Sequence, residues 1–401
     1  MTASPPEIST PARRRSFASI DVFSDVDAAL PAWRALAASG AGSFYQTEAF
    51  LLPWLDTLGR AAGVTPFFIV ARDSFGAPTA FLPLGLRRYG PLRVAQFLGG
   101  KHSNYNLGLF RPDETFTAED LRQLLLAAAT HPPKPHLYFL SSLPRRFNGA
   151  INLLAQLPGR PAADSAHMTK LADHDAAFPA WPLSKEARKK LRKNEKRLAA
   201  VAPLRYFRAE NPTQAKNILD AFFKQKPQRY AAFADSANLP ITKAFFTALT
   251  AFGPKGEPPA VELHALALDE KIIATFAAGL HGQRLQGMFN SFDAAPEIAR
   301  SSPGDLLLTH VLRDANARKL TAFDLGLGDA RYKATFCDEI EPMVDVLLPT
   351  TLPGQLAKLM LSTALAAKYA IKTNPRLWTL VKSLRCRHAT ANNSTAPHVV
   401  P

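Results

Sequence analysis

The stretch from Met288 to Lys333 carries the densest set of groups able to do chemistry. The phrase Ser301-Ser302-Pro303-Gly304 stands directly before an apolar-periodic run through Leu306, Leu307, His310, Val311 and Leu312. A helix that starts there offers backbone N–H groups and a positive dipole end to an anion. Pro303 suits its first turn, where an N–H would lack an intrahelical partner. The diphosphate of a CoA ester fits such a site, although an ordinary helix start is built from the same residues. Further on, Phe323-Asp324-Leu325-Gly326-Leu327-Gly328-Asp329-Ala330-Arg331-Tyr332-Lys333 reads as a strand and a loop that deliver a tyrosine and a lysine. A tyrosine beside that loop can protonate a departing thiolate, and a lysine can neutralise phosphate. The bland alternative makes Tyr332 a core residue and Lys333 a solvated one.

Sharper catalytic signatures are missing from the sequence: no Walker loop, HExxH, GxSxG or CxxC. Gly326-Leu327-Gly328-Asp329 follows a strand but lacks the third glycine of a dinucleotide fingerprint. The two cysteines, Cys337 and Cys386, are too few for a disulfide framework or a four-ligand zinc site, so two reduced thiols in a cytoplasmic protein without metal are expected. With 47% hydrophobic and 20% charged residues the chain is globular in composition. No apolar run approaches the roughly 18 residues that a membrane span requires. Residues 1–16, rich in Pro, Ser and Thr and lacking an apolar segment, read as a tail and not a signal peptide.

The net charge of +15 is concentrated in two places. Lys185 to Arg197 holds eight basic residues against Glu186 and Glu195. After Asp345 no acidic residue remains, while Lys358, Lys368, Lys372, Arg376, Lys382, Arg385 and Arg387 follow. This is the pattern of two local anion-facing surfaces on a near-neutral body, not of a globally basic nucleic-acid binder. The C-terminal basic helices either pack on the body or a partner chain, or make peripheral contact with an anionic membrane.

The elements that must position these groups repeat. A helix is expected over 48–60. It is followed by strands at 67–70, 79–87, 94–98 and 105–110, a helix from Thr117, a strand at 136–142 and a short helix at 146–157. The second half has strands at 261–268, 271–280 and 283–292, the helix after Pro303, a strand at 321–325 and a helical turn at 330–336. The repeated order suggests an internal duplication. Between the halves lie a connector, 172–182, and the basic helix 184–200, with a thin apolar stripe of Leu191, Leu198 and Val201. Helices are expected again at 352–371 and 375–386. The implied organisation is a tail (1–16), an N-terminal half (17–172), a C-terminal domain (173–350) and a basic C-terminal segment (351–401).

The chain resembles the GNAT acetyltransferases of the CelD (cellulose biosynthesis) type, a branch related to Fem-type aminoacyl transferases. The phrases that carry the resemblance are Phe44-Tyr45-Gln46-Thr47 through Trp54, Phe81-Leu82-Pro83-Leu84-Gly85-Leu86-Arg87-Arg88 with Ser103-Asn104-Tyr105-Asn106, Leu183-Ser184-Lys185 through Arg197, and Gly328-Asp329-Ala330-Arg331-Tyr332-Lys333-Ala334-Thr335-Phe336. The chain departs at Cys337, where relatives have Gly, and at Asn106, where many have an acid.

The resemblance implies an α/β fold of tandem GNAT-like halves, each a mixed, mostly antiparallel sheet flanked by helices. It implies metal-free transfer from acetyl-CoA or a longer acyl-CoA to a small-molecule or saccharide amine. Gln286, Met288 and Asn290 would line the pantetheine arm, and Ser302, Gly304 and Asp305 would hold the diphosphate. Lys333 would contact an anion, and Tyr332 would act as general acid. Asp293, with His281 and Glu262 behind it, is the candidate base. Phe110-Arg111-Pro112-Asp113 stands where the first half would need an anion loop, so that half is expected to shape the acceptor cleft. Aminoacyl-tRNA as the donor, and a catalytically silent scaffold, are the alternatives.

Overall fold

The computed structural model describes residues 17–39, 42–171, 183–226, 239–374 and 376–377. Its strands are β1 (Ser19–Phe23), β2 (Thr65–Arg72), β3 (Pro78–Tyr89), β4 (Leu92–Phe97), β5 (Leu109–Phe110), β6 (Leu137–Pro144), β7 (Arg146–Phe147), β8 (Ala150–Ile151), β9 (Gly159–Lys170), β10 (Leu204–Arg208), β11 (Val261–Leu268), β12 (Lys271–His281), β13 (Arg284–Phe292), β14 (Ala322–Leu327) and β15 (Glu339–Pro349). The longer helices are α1 (Val26–Ala37), α2 (Glu48–Trp54), α3 (Ala118–Ala128), α4 (Lys185–Ala199), α5 (Pro212–Gln225), α6 (Leu239–Leu249), α7 (Pro303–Ala317) and α8 (Leu352–Thr373).

Thirteen strands form one sheet in the order β1-β2-β3-β4-β6-β15-β9-β14-β13-β12-β11-β10, with β5 on β3. The expected duplication is present in the pairing. The ladder β1-β2-β3-β4 is antiparallel throughout, and β4 then runs parallel to β6. The ladder β10-β11-β12-β13 repeats this, with β13 parallel to β14. What each half does next is not visible from periodicity. β9, from the first half, pairs with β14, whereas β15, from the second half, pairs with β6. β9 and β15 then pair antiparallel with each other at the centre. Each half is completed by a strand of the other, so a boundary drawn near residue 172 divides the chain but not the sheet.

Helices cover both faces. α1, α2, α5 and α6 share one cluster containing Trp33, Phe68, Phe81, Phe222, Phe245 and Phe289. On the opposite face α3 packs on the first half through Leu121, Leu124 and Leu125. α4 and α7 pack on the second half through Leu191, Leu198, Leu307, Val311 and Leu312. Of the stripe expected on α4, Leu191 and Leu198 are buried, but Val201 lies past the helix end and is exposed. Asn194, one turn before Leu198, takes the buried position.

Three local expectations change. Residues 105–108 are not strand; only Leu109–Phe110 pair, with β3. The helix expected at 146–157 is instead the hairpin β7–β8 and a single tight turn at Leu153–Gln156. The strands β1, β9, β10 and β15 and the helices α1, α5 and α6 have no counterpart among the expected elements. The helix expected at 375–386 lies outside the described residues apart from its first turn.

The exchange predicts that residues 17–171 do not fold alone, because β6 would end the sheet without β15. Expressed alone, this fragment should show no cooperative thermal transition by circular dichroism. Co-expression with residues 183–377 should restore one. A cooperative melt of the isolated fragment would contradict the coupling.

Candidate active site

The parallel strands β13 and β14 hydrogen-bond only over Arg284–Gln286 and Ala322–Asp324, and then part. Two irregularities turn them away from each other. Met288 is an extra residue of β13 against β12, since Gly287 faces Ala278 and Phe289 faces Ala277. Leu325 is likewise skipped between Asp324 and Gly326 against β9. Gly326 has φ 68°, and a Cβ there would lie 2.1 Å from Asn104 Nδ2, so only glycine fits.

The fork is held by buried polar groups. Arg284 Nε and Nη2 donate to Asp324 Oδ2 at 3.0 and 2.7 Å. Tyr105 OH and the Gly326 N–H donate to Asp324 Oδ1 at 3.0 and 2.7 Å. The guanidinium lies over the rings of Phe147 and Tyr105, 4.3 and 5.3 Å from their centroids. Burial, reinforced by Asp324, pushes the Tyr105 phenol well above its ordinary pKa, so it stays a donor. Asn104 reaches both arms. Its Nδ2 donates to Gly287 O at 3.0 Å and to Tyr45 OH at 2.6 Å, and its Oδ1 accepts from Leu327 N at 3.3 Å. First-half residues therefore fix the strands of the second half at the point where they diverge.

Beyond the fork a cleft of 1220 Å³ opens between residues 287–292 and 325–333. At its inner end stand Gly287, Asn104 and Leu327. At its outer end are Phe292, Ser302, Gly304 and Asp305 at the start of α7. Midway, Asn290 Nδ2 donates to Tyr332 OH at 3.1 Å, a bond that joins the two sides. Lys190, Lys226, Arg331, Lys333 and Lys372 line the wall against two carboxylates, Asp305 and Asp329. Burial raises the Asp305 carboxyl while Lys190 and Arg331 pull it down, which places both cations around the first turn of α7.

The start of α7 differs from its first-half counterpart. At α3, Thr117 and Asp120 form a reciprocal capping box that satisfies the exposed N–H groups. At α7, Ser302 sits in the left-handed region at φ 50° and its side chain makes no cap bond. That first turn is therefore open to an anion from outside.

The structure brings Met288, Asn290, Ser302, Gly304, Asp305, Tyr332 and Lys333 to one cleft. Gln286 lies behind it, 1% exposed, accepting from the Phe44 N–H at 2.9 Å. Lys333 is placed differently from a solvated phosphate contact. It is 4% exposed, and its ammonium donates to Gly326 O at 3.0 Å and Leu327 O at 2.5 Å, tying down the end of β14. Burial, partly offset by Asp324, lowers its pKa to about 8. Asp293 is not on the cleft wall. Burial would raise its carboxyl, but Lys271 at 2.6 Å and the Ala295 N–H hold it below the usual range. His281 ends β12, away from the wall, and burial lowers its pKa. Glu262 is engaged by Arg318 and Arg208.

Sequence reasoning did not single out Lys190, Lys226, Asn104 or Asp329 as wall residues. Asp329 accepts from or donates to His167 Nε2 at 3.2 Å, depending on the imidazole tautomer and the carboxyl proton. Lys190 could have been found, since it falls one position before Leu191 on the helix whose apolar stripe was visible. Asp329 lies within the phrase that delivers Tyr332 and Lys333, while Asn104 and Lys226 come from distant segments. Among the described residues no group of three or more His, Cys, Asp or Glu is placed to hold a metal.

Residues 185–334 match the family model described as "Acetyltransferase (GNAT) domain". Among solved structures, FemX is similar at a TM-score of 0.55 and 11% identity, over 82% of this chain and 98% of that one. A conserved protein of unknown function from Bacteroides thetaiotaomicron is similar at 0.52 and 12% identity, over 82% and 100%. A tandem GNAT protein from the clavulanic acid biosynthesis pathway aligns at 0.46 and 11% identity, over 83% and 98%. No curated protein matches the sequence. The fold is thus a mixed α/β fold, one large sheet flanked by helices and similar to that of FemX, and the acetyltransferase domain matched at residues 185–334 makes the chain an acyltransferase.

Two outcomes follow from the fork. Arg284→Met leaves Asp324 buried without its cation and should lower unfolding free energy by about 3–5 kcal/mol in urea titration; a loss under about 1 kcal/mol would contradict the role assigned to the pair. Lys333 gives a pH signature. The unfolded lysine keeps its proton to about pH 10.5 and the folded one only to about 8. Between these values the unfolded state holds more protons, so stability rises with pH. Relative to Lys333→Met, the native protein should gain up to about 3 kcal/mol as pH is raised from 7.5 to 10.5. A flat difference would refute the buried ammonium.

Proposed function

We propose that this acyltransferase, with its GNAT domain at residues 185–334, moves an acyl group from acyl-CoA to an amine. The observation that carries the reading is the Asn290–Tyr332 bond. It sets a phenol midway between the parted strand edge and an uncapped helix start flanked by Lys190 and Arg331.

The CoA diphosphate would lie on the first turn of α7, at Ser302 and Gly304, with Lys190 and Arg331 neutralising it. The pantetheine would run along the edge of β13 at Met288 and Asn290, which β14 leaves open beyond Gln286. The amine nitrogen attacks the thioester carbonyl, the C–S bond breaks, and the thiolate takes its proton from Tyr332. Asp329, a cleft carboxylate 3.2 Å from His167 Nε2, would take the proton lost by the amine. Asp305 stands at the diphosphate end, where it would limit anion affinity. The resemblance to CelD-type enzymes favours a saccharide amine as acceptor.

A second reading has one observation behind it. Lys185, Lys189, Arg192, Lys193 and Lys196 of α4 are exposed beside the cleft, a surface suited to the phosphates of an aminoacyl-tRNA donor.

Calorimetric titration separates the two. Acetyl-CoA or a longer acyl-CoA should bind, and Lys190→Ala with Arg331→Ala should weaken binding about tenfold or more. Tyr332→Phe should leave binding intact and reduce kcat by about 100-fold. If no acyl-CoA binds while a charged tRNA does, the second reading replaces the first.

A further inference from the structure

We propose that the outer face of α8 docks on an anionic lipid bilayer. The inference does not depend on which donor the cleft takes.

α8 is 22 residues long, so about 33 Å. One side is committed to the fold. Ala357, Leu361 and Leu365 pack on Val94, Leu137 and Leu347 near the centre of the sheet. Gly354, where a Cβ would meet the His136 carbonyl oxygen at 1.8 Å, brings its start against the same region.

The opposite side is apolar too. Leu352, Leu356, Leu359 and Met360 are 86, 62, 66 and 68% exposed. At 100° per residue these four fall within one arc of about 100°, which continues along the helix as Thr363, Ala366, Ala367 and Ala370. No charged residue falls in that arc. A solvated helix face normally carries charge, and a run of large apolar side chains there marks a contact surface.

Charge decides which partner fits. From Val346 to the C-terminus the sequence has seven lysines and arginines and no acid. Lys358 is exposed at the border of the committed side and Arg376 follows the helix end. Two copies meeting through this face would bring two such cationic segments together, whereas an anionic bilayer would neutralise them. An uncharged apolar arc on a segment whose only charges are basic is the pattern of a helix lying in the membrane interface. It does not span the bilayer: no helix among the described residues is long and apolar enough to cross one. Lys368 and Lys372 lie on the committed side, both ion-paired with Asp164, and Lys372 also lines the cleft.

The test is sedimentation of the full chain with vesicles of phosphatidylcholine alone or with about one third phosphatidylglycerol. The protein should bind the anionic vesicles at low salt and release from them at high salt. Leu356→Asp with Leu359→Asp should weaken that binding by on the order of tenfold or more. Because both side chains are exposed, the double variant should keep its thermal melt and its acyl-CoA binding, which separates failure of docking from failure of the fold or of the cleft. Absence of binding to anionic vesicles, or binding unchanged in the double variant, overturns the proposal. So does a dimer by light scattering that the double variant dissociates, since the face would then belong to a second copy.

Discussion

The buried pair Arg284–Asp324 is the constraint on which the site depends. Parallel β13 and β14 would run together unless something fixed where they separate. The pair ties the two strands together across their short shared register, Arg284 at its first position on β13 and Asp324 at its last on β14, with the arginine 4% and the aspartate 0% exposed. A buried ion pair is poor evidence for net stability, because desolvation of both charges opposes their attraction. Here its role is geometric. Asp324 also accepts the N–H of Gly326, which turns the strand, and the phenol of Tyr105, which brings in the first half. The cleft inherits its shape from that one carboxylate.

The exchanged strands explain why the halves act as one body. β9 and β15 each close the sheet of the opposite half and then pair with each other. The first half thereby gains a second role besides packing. Asn104 and Tyr45 contact Gly287 directly, and His167 on β9 reaches Asp329. The duplication is also asymmetric in a functional direction. The first-half helix start is satisfied by its own Thr117 and Asp120, and its loop is neutralised internally by Arg111 with Asp73 and Glu114. The second-half helix start is left uncapped, and Lys190 and Arg331 converge on it.

The amino-acid order by itself determined the strands β11, β12 and β13 of the second half, because they alternate or run apolar between clear turns, but not β10, which completes that ladder. It also determined the helix after Pro303 and the Tyr332-Lys333 phrase, since those signals are local. It did not reveal β9 or β15. Gly-Arg-Pro-Ala-Ala-Asp-Ser-Ala-His-Met-Thr-Lys is too polar to read as a central strand, and β15 is interrupted by Pro342 and Asp345. Their pairing partners lie far away in sequence, so no periodicity could announce them. Tertiary structure alone decided that Lys333 is a buried clamp, and that Asp293 pairs with Lys271 away from the cleft while Asp329 stands in it. Periodicity tells which face of an element a residue occupies; where two strands part, and what is buried at that point, is set by contacts between segments more than 100 residues apart.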